Sequence, residues 1–95
     1  MYVIVAYDIS DDYRRDRAAK RLLAMGYQRI QRSLYVAKGG VEKARRTAAA
    51  LRPLINPDTD KIHIIIVPDY SWQKRIELGE AEPPGTGPKP GIHLA

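Results

Sequence analysis

The residues best suited to chemistry lie between Met1 and Arg17, MYVIVAYDISDDYRRDR. An uncharged run from Tyr2 to Tyr7 stops abruptly at Asp8. A carboxylate where a strand leaves its sheet can hold a metal ion or take part in catalysis, and α/β architectures expose reactive groups at the carboxyl ends of strands. The plainer alternative is a loop-side acid that accepts hydrogen bonds from nearby amides. Ser10 and Asp11 suit a helix N-cap, and Asp11 and Asp12 sit where the positive end of a helix dipole favours acids, so they need no further role. Arg14, Arg17 and Arg21 follow three and four residues apart, either a solvated helix face or a stripe of phosphate contacts. Arg15 falls on the axis of the buried stripe instead, so its guanidinium must run along the sheet rim toward the end of the first strand. There it would pair with a carboxylate such as Asp8 or hold a phosphate beside it.

A second polar row comes from Tyr27 to Lys38, YQRIQRSLYVAK, a stretch of strand formers read as one bent strand or two short ones broken near Arg32 and Ser33. Arg29, Gln31, Ser33 and Tyr35 alternate with Ile30, Arg32, Leu34 and Val36. Such a face is either ordinary solvent-facing surface or a set of donors for phosphate and sugar oxygens, with Tyr35 placed to stack on a base.

The elements that must position these groups follow from pattern. Tyr2 to Tyr7 reads as a strand buried on both faces. Helix one is expected from Asp12 to Met25, stopped by Gly26, with Ala18, Ala19, Leu22, Leu23 and Met25 on its buried side. Gly39 and Gly40 release helix two, Val41 to Arg52, whose buried stripe is Val41, Ala44, Ala48 and Leu51 with Ile55 beyond, while Lys43, Arg45, Arg46 and Arg52 face outward. Pro53 ends or distorts its last turn. Asn56 to Asp60 is turn chemistry. Ile62 to Val67, IHIIIV, is a second apolar strand, and its lone His63 is expected to be a packed side chain. RIEL, Arg75 to Leu78, is a short last strand. Residues 80–95 are dense in Pro and Gly and read as a disordered tail after a 1–79 domain.

The chain has 95 residues, enough for one modest core, with a formal net charge of +5 that attracts polyanions. Without cysteine it has no disulfide, no thiolate zinc site and no cysteine nucleophile. No apolar run approaches the ~20 residues that span a bilayer. No membrane association and a cytoplasmic location are expected.

Splitting Tyr27 to Lys38 gives the order βαββαβ, the α+β ferredoxin-like sandwich of an antiparallel sheet with two helices on one face. Two helices cover only one face, yet the central strands are apolar on both. A second copy of the chain is the economical cover, and a homodimer would bring two Asp8 carboxylates into related positions, where one alone is a poor site for a divalent metal.

YDISDD, the spaced Arg15 and Arg17, GYQRIQRSLYV and the closing IHIIIVPDYSWQKRIELG together resemble the CRISPR-associated protein two family, over most of the chain to about Gly79. Tyr35 stands where many relatives carry Phe. The resemblance implies a ferredoxin-like homodimer in which the strand near Arg75 to Leu78 completes the partner's sheet. It implies a divalent metal, usually Mg²⁺, between the two copies of Asp8, with Arg15, Arg17, Arg29 and Tyr35 as supporting site residues and Ser33 as a weaker one. The implied activity is endonucleolytic, on single-stranded RNA or double-stranded DNA, in company with the integrase, CRISPR-associated protein one. Two alternatives are a dimeric DNA-binding scaffold without catalysis and a ribonuclease of the virulence-associated, toxin-like kind, which shares the fold.

Overall fold

A computed structural model describes residues 1–79. The expected disordered tail, 80–95, lies outside the described residues. The elements are β1 (Tyr2–Asp8), α1 (Asp12–Ala24), β2 (Gln28–Gln31), β3 (Leu34–Lys38), α2 (Val41–Leu51), a 3₁₀ turn (Arg52–Leu54), β4 (Lys61–Val67) and α3 (Asp69–Gln73). The strands form one antiparallel sheet in the order β2-β3-β1-β4, the ferredoxin-like arrangement expected from the order of elements. No helix among the described residues is long and apolar enough to cross a membrane.

The period of two along β1 separates the faces of the sheet. Val3, Val5 and Tyr7 are buried on the helix side, level with Ile66, Ile64 and Ile62 of β4 and, for the first two, with Ala37 and Tyr35 of β3. Ala18 and Leu22 of α1, Leu51 of α2 and Leu54 complete this core. Helix α1 stops as its sequence dictates. Gly26 takes a positive φ of 91°, its N–H reaches the Leu23 carbonyl at 3.1 Å, and the Tyr27 N–H reaches that of Leu22 at 3.1 Å. These bonds help satisfy the carbonyls of the last turn, which the Met25 N–H also reaches.

Two features of the helices differ from the pattern. Leu23, expected in the buried stripe, is 51% exposed: Ala18 and Leu22 are buried with Ala19 and Met25 packed against the core, and the 100° step per residue turns Leu23 away from it. On α2 Thr47 is buried beside Leu51, while Val41 at the first turn is 48% exposed. Thr47 donates to the Lys43 carbonyl at 2.7 Å and accepts from the Tyr27 hydroxyl at 2.7 Å, so its polar atom enters the core fully partnered. Pro53 does both things expected of it: α2 closes at Leu51 and the chain tightens into a 3₁₀ turn that buries Leu54.

On the other face lie Tyr2, Ile4, Ala6 and Asp8 of β1, level with Val67, Ile65, His63 and Lys61 of β4. This face is covered only at one end, where Trp72 of α3 stacks on Tyr2 at 5.3 Å and Arg75 lies 4.0 Å over Trp72. Elsewhere it is open, and Ile65 is 49% exposed. His63, read as a packed side chain, is exposed on this open face. The alternation places it on the side that no helix covers. Residues 75–78 form no strand within the single chain, and Ile76 and Leu78 point into solvent.

The two adjacent leucines of α1 provide a direct check. Leu22→Ala should cost about 3 kcal/mol in urea unfolding, as expected for a truncated core leucine. Leu23→Ala should change stability by less than about 0.5 kcal/mol.

Candidate functional site

One end of the sheet gathers the end of β1, the turn joining β2 to β3, the start of α1 and the start of β4. Asp8 is exposed on the open face there, opposite Lys61 in the β1–β4 register. Among the described residues its carboxylate has no hydrogen-bond or ion-pair partner, whereas the acids of α1 and its cap are all engaged. Asp11 caps the helix by accepting from the Arg14 N–H at 2.8 Å, Asp12 pairs with Arg15, and Asp16 pairs with Lys20 at 3.1 Å. Asp8 is therefore the acid left available on these two elements.

What holds this end in place is a residue that reads as mere turn chemistry in the sequence. The Asp60 side chain is buried and accepts from the Arg14 guanidinium at 3.0 Å and the Asn56 N–H at 2.9 Å. It also accepts from the Thr59 hydroxyl at 3.0 Å, the Ser10 N–H at 3.2 Å and the Ser10 hydroxyl at 3.3 Å. One carboxylate thus ties the start of β4 to the turn after Asp8 and to the first turn of α1. The Arg14 hydrogen bond above all, then the Asn56 amide, holds its carboxyl far below the usual carboxylate range, outweighing its desolvation. No local motif marks Asp60, because its main partner is 46 residues away.

The arginines divide accordingly. Arg14 leaves the expected nucleic-acid stripe, since its charge is spent on Asp60. Arg17 and Arg21 remain exposed, Arg17 lying 5.7 Å over the Tyr13 ring. Arg15 does run toward the end of β1, but it donates to the Ile9 carbonyl at 2.8 Å and pairs with Asp12 rather than with Asp8. The nearer acid on its own helix wins.

In the β2–β3 hairpin the alternation of Arg29, Gln31, Ser33 and Tyr35 does not survive. The register shifts between Arg29 and Gln31, and Arg32 and Ser33 form the turn. Gln31 is exposed and Ser33 half-buried, with its carbonyl taken by the Tyr7 N–H at 3.1 Å. Tyr35, expected to stack on a base, is instead fully buried on the helix side. Its hydroxyl lies 3.2 Å from that of Tyr7, and burial first, then the Tyr7 hydrogen bond, pushes it well above the usual phenol range. It can neither meet a base nor transfer a proton to substrate. Arg29 spans the two settings, half-exposed with its guanidinium 5.9 Å over the Tyr35 ring, so Tyr35 acts by holding Arg29.

A family model described as CRISPR associated protein Cas2 matches residues 1–75, four-fifths of the chain with β1, the hairpin and β4 included. The chain belongs to the Cas2 family. It is 43% identical over 79 residues to a CRISPR-associated endoribonuclease Cas2 of Aeropyrum pernix, covering 83% of this chain and 86% of that protein. To a second such Cas2 of Pyrobaculum aerophilum it is 53% identical over 83 residues, covering 87% and 91%. The Cas2 of Streptococcus pyogenes superimposes with a TM-score of 0.69 at 27% identity, covering 84% of this chain and all of that one. A Thermus thermophilus protein, TT1823, gives 0.65 at 29% identity, covering 94% and 95%. The family model and the Cas2 relatives bear out the family resemblance, and the two solved structures bear out the fold.

The Asp60 tie has a pH signature. Its carboxyl holds a proton more weakly folded than unfolded, where the ordinary value is 3.8, so acid favours the unfolded chain. Its contribution is complete above about pH 4 and is lost as the pH falls below it. Thermal melts of Asp60→Asn should show a lower Tm than wild type at neutral pH and a difference that narrows on acidification. A constant offset at every pH would refute this.

Proposed function

We propose that the chain is a metal-dependent endonuclease of CRISPR adaptation, cutting single-stranded RNA or double-stranded DNA as a two-fold homodimer that works with the integrase, CRISPR-associated protein one. The observation that carries this is Asp8, an exposed carboxylate at a strand end, unpartnered where its neighbours are all paired. The names of the relatives, endoribonucleases by description, support the nuclease class. The match over residues 1–75 favours this reading over the toxin-like alternative.

Within one chain the donor set is too small for a metal: the described residues hold no group of three or more His, Cys, Asp or Glu side chains. Two chains meeting across their open faces change this, because two Asp8 carboxylates and retained water suit Mg²⁺, which binds through one or two carboxylates and keeps much of its hydration. The half-exposed Ile65 and the partly exposed Ile4 on that face provide the surface for such packing. When bound, Mg²⁺ supplies Lewis-acid polarisation of phosphate and a more acidic water. The protein's own share is positional. Asp8 would hold the ion on the strand end that Asp60 fixes. Arg15 is anchored on the Ile9 carbonyl beside it, and Arg17 and Arg29 offer positive charge to the phosphate as negative charge accumulates there.

A second reading, a dimer that holds nucleic acid without cutting it, is favoured by one observation: every acid on α1 already has a structural partner, leaving a single ligand per chain.

Purified protein with Mg²⁺ should cleave RNA or duplex DNA, and Asp8→Ala should lower the rate about 100-fold or more with the fold intact by circular dichroism. Chelation by EDTA should abolish cleavage and Mg²⁺ should restore it. Cleavage that persists in Asp8→Ala would sink the assignment. Wild type that binds duplex but cuts nothing under any divalent metal would select the scaffold.

A further inference from the structure

Helix α2 carries a second concentration of charge that the site around Asp8 does not use. Arg45, Arg46 and Arg52 are exposed, and none forms an ion pair with any described residue. Arg45 and Arg52 are seven residues apart, two turns of helix, which sets them about 10 Å apart along the axis. Arg52 keeps helical backbone angles as the C-cap, φ −52° and ψ −47°, so it continues the same face. Exposed Ala49 lies between them and leaves the face low.

An ordinary solvated helix would place acids beside these arginines. Helix α1 does so, with Asp12 on Arg15 and Asp16 on Lys20. On α2 the positions three and four residues away from Arg45 and Arg46 are Val41, Lys43, Ala48, Ala49, Ala50 and a single acid, Glu42. Glu42 is itself exposed and pairs with neither of them. Like charges crowded on one face without compensation cost helix stability, and they gain a use only when an external anion neutralises them.

We infer that the outer face of α2 is a docking surface for the phosphate backbone of duplex nucleic acid, separate from the Asp8 site. The inference rests on the nucleic-acid reading of this chain but not on catalysis. Guanidinium groups pair with phosphate oxygens bidentately, and several of them spread along a helix suit a continuous backbone better than a lone phosphate. The exposed face contains no aromatic residue, so it has no platform on which unpaired bases could stack, and this favours a duplex over a single strand. Its position fits as well. The helices cover the Val3 and Val5 side of the sheet and Asp8 lies on the other, so dimers formed across the open faces leave α2 outward and accessible.

The test is fluorescence anisotropy on a short labelled duplex and on one of its strands, over a salt series, with wild type and the triple variant Arg45→Gln, Arg46→Gln, Arg52→Gln. Gln is a good helix former, and all three positions are exposed, so the fold should be unchanged and the Tm no lower than that of wild type. The triple variant should bind the duplex about 10-fold or more weakly, with the slope of log affinity against log salt shallower by about 2 to 3. Single-strand binding should fall much less. Wild-type affinity and slope in the triple variant would overturn the proposal, as would equal losses on duplex and single strand. So would loss of binding to phosphatidylserine vesicles with duplex binding intact, which would assign the face to a membrane surface. Should no variant or wild type cleave anything, while duplex binding still follows the α2 arginines, the catalytic reading fails and this one stands.

Discussion

The buried carboxylate of Asp60 is the constraint on which the functional end of the molecule depends. It accepts from Arg14, Ser10, Asn56 and Thr59, groups on the first turn of α1, the turn after β1 and the turn before β4. A buried carboxylate without donors would cost several kcal/mol, so the three segments are fixed relative to one another by the need to satisfy it. Asp8 is two residues from Ser10. Its position at the mouth of the sheet is thus inherited from a residue that takes no part in chemistry itself. Tyr35 acts in a comparable way on the β2–β3 side, buried against Tyr7 with its ring beneath Arg29.

The second constraint is the asymmetry of the sheet. Helices fill one face with Ala18, Leu22, Leu51 and Leu54, and the other is capped only where Tyr2, Trp72 and Arg75 stack. The same strands that make the core therefore leave apolar side chains on the open side, next to Asp8, Lys61 and His63. A fold that ends with one apolar face is incomplete in packing, and the proposed metal would find a single acid at its rim. A two-fold partner would answer both.

Much of this was legible in the chain. The order βαββαβ came from periodicity and from turn residues, and Gly26 and Pro53 ended their helices as their backbone chemistry requires. Asp8 was visible because it interrupts an uncharged run. What escaped was non-local or depended on register. Asp60 gave no signal since the partner that defines it lies far away in the sequence. Tyr35 was placed on the polar side because a straight count of alternation cannot see the register shift at Arg29 and Gln31. His63 was read as packed because an apolar run does not reveal which of its faces a helix will cover.

The arginines show why a basic sequence does not by itself identify a binding surface. By type and spacing Arg14, Arg15, Arg17 and Arg21 look equivalent, yet Arg14 and Arg15 are consumed by Asp60, Asp12 and the Ile9 carbonyl, while Arg17 and Arg21 are not. A guanidinium already held by a carboxylate offers little to a phosphate, since binding there must first break a pair that the fold relies on. Charge that the fold has not claimed is the better indicator. On α1 it is Arg17 and Arg21, and at the rim Lys61 stands level with the unpaired acid Asp8. On α2 such charge stands with no acid that answers it, as plain backbone binding needs.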